Sequence, residues 1–250
     1  MTPAPPAAPP QAAALLAPTG KLRAAINFGN PVLASKDPVT AEPRGVSVAL
    51  SQELARRLAV PLELVTYDAA GKVVDDATTG AWDIAFVAID PKRAADIDYS
   101  APYVVIEGAY VVPRNSPIRS NADVDRNGVR VVAAKGSAYD LYLSRTLTKA
   151  KIVHVATSQA VAGAMLAQGV EAGAGVKQQL EVAARTMPEV RLLDGRFMVI
   201  QQAMAVPKGR GAGASYLAAF VEEMKASGFV AAQLRANGID GAAVAPPAPR

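Results

Sequence analysis

The residues best suited to bind a charged ligand lie around Arg93. An apolar run over 84–89 predicts a buried strand, and Asp90 and Pro91 then end the strand and can begin a helical turn. Arg93 is therefore expected on the first turn after the carboxyl end of a strand, where open α/β sheets bind small ligands. A guanidinium in that place can hold a carboxylate through two parallel hydrogen bonds, and we predict this role for Arg93.

The guanidinium of Arg93 could instead be neutralised by the protein itself. Asp90, Asp96 and Glu107 lie close enough in the sequence to form an internal ion pair with it. A carboxylate at Asp90 would also repel an anionic ligand. The residues alone leave both interpretations open.

A second candidate site is the turn Lys135-Gly136-Ser137-Ala138, which lies between a predicted strand and a predicted helix. The first turn of a helix offers free backbone N–H groups, and the helix dipole favours anions there. Gly136 would allow the backbone to approach a ligand closely. The alternative is an ordinary helix start with Ser137 as its N-cap.

The composition argues against several other kinds of function. Hydrophobic residues make up 51% and charged residues 19% of the 250 residues, which describes a folded globular chain. The absence of cysteine excludes disulfides and thiolate chemistry. A net charge of +4 with 5% aromatic residues gives little support to nucleic-acid binding. Because the sequence has no nucleophile elbow, phosphate-binding loop, dinucleotide fingerprint or metal-ligand cluster, we predict no cofactor, no metal and no catalysis.

Helix and strand signals alternate along the chain, which predicts α/β layers around a largely parallel sheet. Two similar series of strands and helices follow one another, and the chain then returns to the first. The segments expected to cross between them are 110–114 and 203–208. Ser47 and Ser158 are predicted to be helix N-caps.

The two ends of the chain are rich in alanine and proline. We predict a disordered or polyproline-like arm over 1–20 and a second disordered tail over 241–250. The first 17 residues carry no charged side chain and lack the pattern of a secretory signal. They therefore leave the compartment undecided.

Five motifs occur in an order and spacing that resemble the family 3 solute-binding proteins of ABC transporters, which include amino-acid-binding periplasmic proteins. They are Lys21–Asn27, Gly45–Leu50, Asp90–Arg93 with Asp98–Tyr103, Lys135–Ala138 and Met165–Ala172. The third motif is similar to the family's Thr-Pro-Glu-Arg followed by Asp-Phe-Ser-x-Pro-Tyr. The resemblance covers roughly residues 21–236.

The resemblance implies an α/β fold of the type II periplasmic-binding-protein class, with two lobes, two hinge strands and a ligand cleft between the lobes. The expected division is 21–112 for the first part of lobe 1, 113–203 for lobe 2 and 204–240 for the return to lobe 1. Closure about such hinges is a known switching mode.

The resemblance also implies a set of ligand contacts at the cleft. The implied ligand-binding residues are Asn27, Phe28, Asn30, Ala88, Asp90, Arg93, Lys135, Gly136, Ser137, Ala138, Val176 and Gln201. Asn30 could equally form a turn with Pro31. Of Gln201 and Gln202, one could reach the cleft while the other satisfies backbone groups at the hinge.

This sequence departs from the family pattern at three of these positions. Asp90 stands where a Thr or Ser hydroxyl usually helps to hold an anion, and Ala138 replaces a common ligand-binding Thr. Val176 stands near the place of an Asp that pairs with the α-ammonium of an amino acid. Glu171 is not expected to replace that Asp, because residues five apart on a strand point to opposite faces. We therefore expect a solute with a carboxylate or another polar head and no free ammonium, because an unpaired buried charge is costly.

By resemblance, the chain is expected to be a monomeric, periplasmic solute-binding protein that delivers its solute to an ABC permease. One alternative is an enzyme similar to cyclohexadienyl dehydratase, a carbon–oxygen lyase, which would need a buried general acid such as Glu107 or Glu171. A second alternative is a cytoplasmic ligand-sensing module.

Overall fold

The structure is a computed structural model, and it describes residues 8–249. Its helices are α1 (Pro10–Leu16), α2 (Val46–Leu58), α3 (Ala70–Asp75), α4 (Ala138–Thr146), α5 (Val161–Ala167), α6 (Lys177–Thr186), α7 (Gly211–Ala226) and α8 (Phe229–Ala236). Its strands are β1 (Leu22–Asn27), β2 (Ser35–Lys36), β3 (Pro43–Arg44), β4 (Leu62–Tyr67), β5 (Ile84–Ala88), β6 (Ile97–Pro113), β7 (Arg130–Ala134), β8 (Lys151–Val155), β9 (Ala172–Val176), β10 (Val190–Leu192), β11 (Met198–Pro207) and β12 (Ala243–Val244).

The principal sheet has the order β4-β1-β5-β11-β6-β9-β7-β8. The parallel strands β4, β1 and β5 form the first lobe together with β11 and the start of β6. The parallel strands β8, β7 and β9 form the second lobe together with the end of β6. Every residue of β5 and of β9 is buried, as expected for strands covered by helices on both faces.

The long strand β6 connects the two lobes. Its partner changes from β11 to β9 at Gly108, which pairs with both Met198 and Val176. The change of partner therefore lies just before 110–114, the first of the two predicted crossing segments. The second predicted crossing segment, 203–208, pairs with β5 and with the start of β6, both in the first lobe. The lobe boundaries given above stay a prediction.

Each lobe has a buried cluster of its own in addition to a larger shared core. Trp82 lies in the first-lobe cluster with Val73 and Ile97, and its indole N–H donates to the Val73 carbonyl at 2.9 Å. Val161 and Met165 lie in the second-lobe cluster and pack against Val111 of β6. Rigid lobes of this kind can hold loops from both sides in a fixed geometry.

The predicted disorder of the two ends is wrong where the structure describes them. The chain forms α1 within the predicted arm, and Leu16 of α1 is fully buried in the shared core. In the predicted tail, β12 pairs with β6, and Ala245 is buried. Alanine is a strong helix former and Pro10 suits a first helical position, so a Pro/Ala-rich composition did not prevent a packed helix. Residues 1–7 and 250 lie outside the described residues.

Two of the predicted helix caps are also wrong. Ser47 lies inside α2, whose N-cap is Gly45, and Ser158 lies in a short 3₁₀ turn capped by Thr157. Ser137 does cap α4, because its hydroxyl accepts the backbone N–H of Asp140. Within residues 8–249, no helix is long and apolar enough to cross a membrane.

Candidate ligand-binding site

A small cavity of about 40 Å³ lies between the two lobes, where the carboxyl ends of β5, β7 and β9 meet. Eight of the predicted site residues line it, namely Asn27, Asn30, Ala88, Arg93, Lys135, Ser137, Ala138 and Val176. Gln202, one of the two glutamines considered for the cleft, also lines it. Residues that the sequence did not indicate as site residues line it too, among them Leu33, Phe86, Tyr139, Ser158 and Ile200. The cavity thus joins loops from both lobes at the place that open α/β sheets use for ligands.

Arg93 lies in a 3₁₀ turn directly after β5, as the sequence predicts, and only 2% of its surface is exposed. One of its terminal NH₂ groups donates to the Ala88 carbonyl at 3.0 Å, and the other donates to the Gly136 carbonyl of the second lobe at 2.8 Å. Its Nε–H is buried and finds no acceptor among the described residues. Arg93 therefore spans the cleft and still has an unused donor.

The positive charge of Arg93 is not neutralised by the part of the protein that the structure describes. No carboxylate in residues 8–249 forms an ion pair with its guanidinium, because Asp90 pairs with Arg145 and Glu107 pairs with Lys177. Burial lowers the pKa of Arg93, since the charged form has lost its water. A buried cation without a counter-ion is costly, and a ligand carboxylate would offset this cost.

Asp90 does not line the cavity, which corrects the expectation that it contacts the ligand. One carboxylate oxygen accepts the backbone N–H of Lys92 at 2.8 Å, and the other accepts from Arg145 of α4 at 2.8 Å. Asp90 is buried, whereas the side chain of Arg145 is 45% exposed. The pair therefore links the two lobes at the edge of the cleft and leaves Arg93 free for a ligand.

We expect Asp90→Asn to loosen the closed arrangement of the lobes. Because Arg145 is half exposed, the ion pair should contribute no more than about 1 kcal/mol. The variant should bind ligand about two- to fivefold more weakly and show a larger radius of gyration by small-angle X-ray scattering without ligand. Arg126→Ala, which removes an exposed ion pair within one lobe, is the control. An unchanged scattering profile and affinity would mean that the pair does not hold the lobes together.

Gly136 faces the other lobe and not the cavity. Its φ is +72°, and a Cβ there would lie 3.0 Å from the Cα of Gly71 in the first lobe. Its N–H donates to the carboxylate of Asp140 at 2.8 Å, and its carbonyl accepts from Arg93. The close backbone contact predicted for Gly136 therefore occurs, but it is made with Gly71 of the first lobe and not with a ligand.

Phe28 and Gln201 also lie outside the cavity. Lys36 lies over the ring of Phe28, 5.2 Å from its centre. Gln201 is exposed, and its neighbour Gln202 is buried and lines the cavity. Adjacent residues of a strand point to opposite faces of the sheet. A site prediction that is wrong by one residue therefore names a side chain on the wrong face.

Asn27 and Asn30 serve the turn after β1 as well as the cavity wall. The side-chain oxygen of Asn27 accepts the Gly29 N–H at 2.8 Å, and that of Asn30 accepts the Val32 N–H at 3.3 Å. Asn30 therefore forms the turn and also lines the cavity, and its contact with a ligand stays a prediction.

No Asp or Glu lines the cavity in the described part of the chain. Val176 is 5% exposed and lies at the end of β9, where the family pattern would place an acid. Glu171 pairs with Arg130 at 2.9 Å, and this contact lowers the pKa of the carboxyl. Arg93 and Lys135 are the charged residues of the wall, so the cavity favours an anion.

Comparison with solved structures shows the same fold over 90% of the chain. The L-cysteine solute receptor of Neisseria gonorrhoeae matches with a TM-score of 0.78 and 21% identity, covering 92% of that chain. A mutant of ArgBP from T. maritima matches with a TM-score of 0.76 and 20% identity, covering 98% of that chain. The ancestral amino acid-binding protein AncCDT-1, a precursor of cyclohexadienyl dehydratase, matches with a TM-score of 0.75 and 21% identity over 98% of its length.

These likenesses identify the architecture as the two-lobed type II periplasmic-binding-protein fold, as the sequence predicts. No curated protein matches the sequence. The sequence profile of a single family covers residues 22–236, which is most of the chain and includes every wall residue of the cavity. The chain therefore belongs to the bacterial extracellular solute-binding proteins, family 3.

Proposed function

We propose that this protein binds a small carboxylate-bearing solute without a free ammonium group and passes it unchanged to an ABC permease. The observation that carries the proposal is Arg93, a buried guanidinium with an unused donor and no carboxylate partner in residues 8–249. A ligand carboxylate beside it would gain charge-assisted hydrogen bonds and replace the missing counter-ion. The first turn of α4, capped by Ser137, faces the same cavity and adds a favourable helix dipole.

The absence of an acid from the described cavity wall supports the restriction to solutes without an ammonium. Some similar structures are named for arginine or L-cysteine, which carry both charges. In this chain an α-ammonium bound near Val176 would be buried without a carboxylate to pair with it. A buried unpaired charge outweighs several ordinary hydrogen bonds.

Binding without chemistry is favoured over the lyase alternative. Both carboxylates that the sequence suggested as general acids lie outside the cavity wall and are paired with cations, Glu107 with Lys177 and Glu171 with Arg130. The family is described as extracellular, which supports export and a periplasmic site of action over a cytoplasmic sensor.

Ligand entry requires the lobes to separate. The cavity of about 40 Å³ has room for about three waters, and it is too small for a whole carboxylate solute. Hydrogen bonds between the lobes include Arg93 with Gly136, Asp90 with Arg145, Gln159 with Phe28 and Gln178 with Asp240. We infer that the lobes open about β6 and β11, admit the solute and close again.

A thermal-shift screen tests the proposal. Carboxylates should raise the melting temperature, and at equal concentration those that bind more tightly should raise it more, because ligand that binds only the folded state stabilises it. Glycine, glutamine, histidine and arginine should have little effect, and the matched acids that lack the amino group should do better. A broad panel of carboxylates, amino acids and small amines that produces no shift would contradict solute binding altogether.

A further inference from the structure

A second and larger groove of about 630 Å³ lies beside the cavity, on the other side of the Lys135–Gly136 segment. Both lobes contribute to its wall, with Lys72 and Lys92 from the first and Lys135, Arg145 and His154 from the second. Lys135 lines both the groove and the cavity. The two spaces are therefore neighbours that share Lys135 and Ala69 in their walls.

The wall of the groove carries more positive than negative charge. Its permanently charged residues are four cations, Lys72, Lys92, Lys135 and Arg145, and two acids, Asp75 and Asp140. The carboxylate of Asp140 is already bonded to the Gly136 N–H at 2.8 Å and to Nε2 of His154 at 2.7 Å. What a ligand meets in the groove therefore depends on which of the four cations are already paired within the protein.

Two of these cations have no partner among residues 8–249. Lys72 pairs with Asp68, and Arg145 pairs with Asp90. The ammonium groups of Lys92 and Lys135 form neither a hydrogen bond nor an ion pair with any residue in the range 8–249, and both side chains are exposed. They flank the groove from opposite lobes and are free to contact a ligand there.

The buried guanidinium lies close to this groove in space. Arg93 donates to the Gly136 carbonyl at 2.8 Å, and Lys135 directly precedes Gly136 in the chain. A solute held by one carboxylate at Arg93 and too large for the cavity would therefore extend past Lys135 into the groove. The two unpaired lysines at that point are exposed, and they suit a second anionic group better than an apolar tail.

We propose that the solute is a dicarboxylate without an amino group, with one carboxylate at Arg93 and the other between Lys135 and Lys92. This inference rests on the proposed function, because it assumes a carboxylate at Arg93. It adds that the two free lysines select solutes with a second negative charge. Binding of the second carboxylate would also draw the lobes together, since Lys92 and Lys135 belong to different lobes.

Isothermal titration calorimetry with matched ligands tests the inference. Succinate, glutarate and adipate are compared with their monoamides, which keep the length and one carboxylate but lose the second charge. The best diacid should bind about tenfold more tightly than its monoamide, as expected for two partly exposed ion pairs. The advantage should fall as the salt concentration rises, because salt screens exposed charges.

Substitution of the lysines shows whether they cause the difference. Lys92→Gln should reduce the preference for the diacid and leave monoamide binding nearly unchanged, because Lys92 lines the groove and not the cavity. Lys135→Gln should also reduce this preference, and it should weaken monoamide binding as well, because Lys135 lines the cavity too. Lys149→Gln, an exposed lysine away from both cavities, should change neither affinity. Equal binding of diacid and monoamide, or a preference that survives both substitutions, would overturn the dicarboxylate inference and leave carboxylate binding intact. If neither class binds, the proposed function fails as well.

Discussion

Arg93→Ala should weaken carboxylate binding at least about a hundredfold while the protein remains folded. Each charge-assisted hydrogen bond contributes about 1.5–3 kcal/mol, and two of them correspond to a factor of 100 or more in affinity. The fold should survive because the substitution removes a buried cation that no carboxylate in residues 8–249 neutralises. This relief offsets the loss of the hydrogen bonds to Ala88 and Gly136.

Calorimetry measures the affinity of Arg93→Ala, and circular dichroism with thermal melting measures its fold. Arg93→Lys is informative beside it, because a lysine keeps the charge but loses the planar pair of donors and should recover only part of the affinity. Arg126→Ala, at an exposed ion pair within one lobe, is the matched control and should bind normally. Normal binding by Arg93→Ala, or its failure to fold, would assign Arg93 a purely structural role.

Val176→Asp should create binding of ordinary α-amino acids at the expense of simple acids. Val176 lines the cavity at the end of β9, so a carboxylate there would face the place where an α-ammonium enters. Pairing that ammonium removes the cost of a buried lone charge, which is several kcal/mol, and should improve amino-acid affinity at least about a hundredfold. The new carboxylate should repel simple acids and compete for Arg93.

The control for this substitution is Val176→Asn, which has nearly the same shape as aspartate without its charge. If electrostatics sets the ligand class, only the aspartate variant should gain glutamine or arginine binding in calorimetry. The aspartate variant should also melt at a lower temperature without ligand, because a buried carboxylate near an apolar wall is costly. A gain by both variants would point to shape, and a gain by neither would show that Val176 does not decide the ligand class.

The local features of the site could be predicted from short stretches of sequence. The apolar run before Asp90 becomes β5, and the strand break places Arg93 on the next turn beside the cavity. Ser137 caps α4 because hydroxyl side chains satisfy the free N–H groups of a first helical turn. These signals depend on neighbours in the chain, so they could be interpreted without a structure.

Contacts between distant segments could not be predicted in the same way. Asp90 lies next to Arg93 in sequence, yet its partner is Arg145, 55 residues further on and in the other lobe. Gln202 and not Gln201 lines the cavity, because only the register of β11 decides which face each side chain takes. Leu16 is buried because α7 and the first lobe cover it. The Ala/Pro-rich composition of this end of the chain does not indicate such a contact.

The most direct test of the ligand class is calorimetry on the unaltered protein with pairs that differ by a single amino group. Succinate with aspartate, glutarate with glutamate, and adipate with 2-aminoadipate each keep both carboxylates and the chain length. If an unpaired ammonium is excluded from this cavity, the acid of the best-binding pair should bind at least about a hundredfold more tightly than its amino acid. Micromolar or tighter binding of any of these amino acids, with weaker binding of its partner acid, would contradict the account.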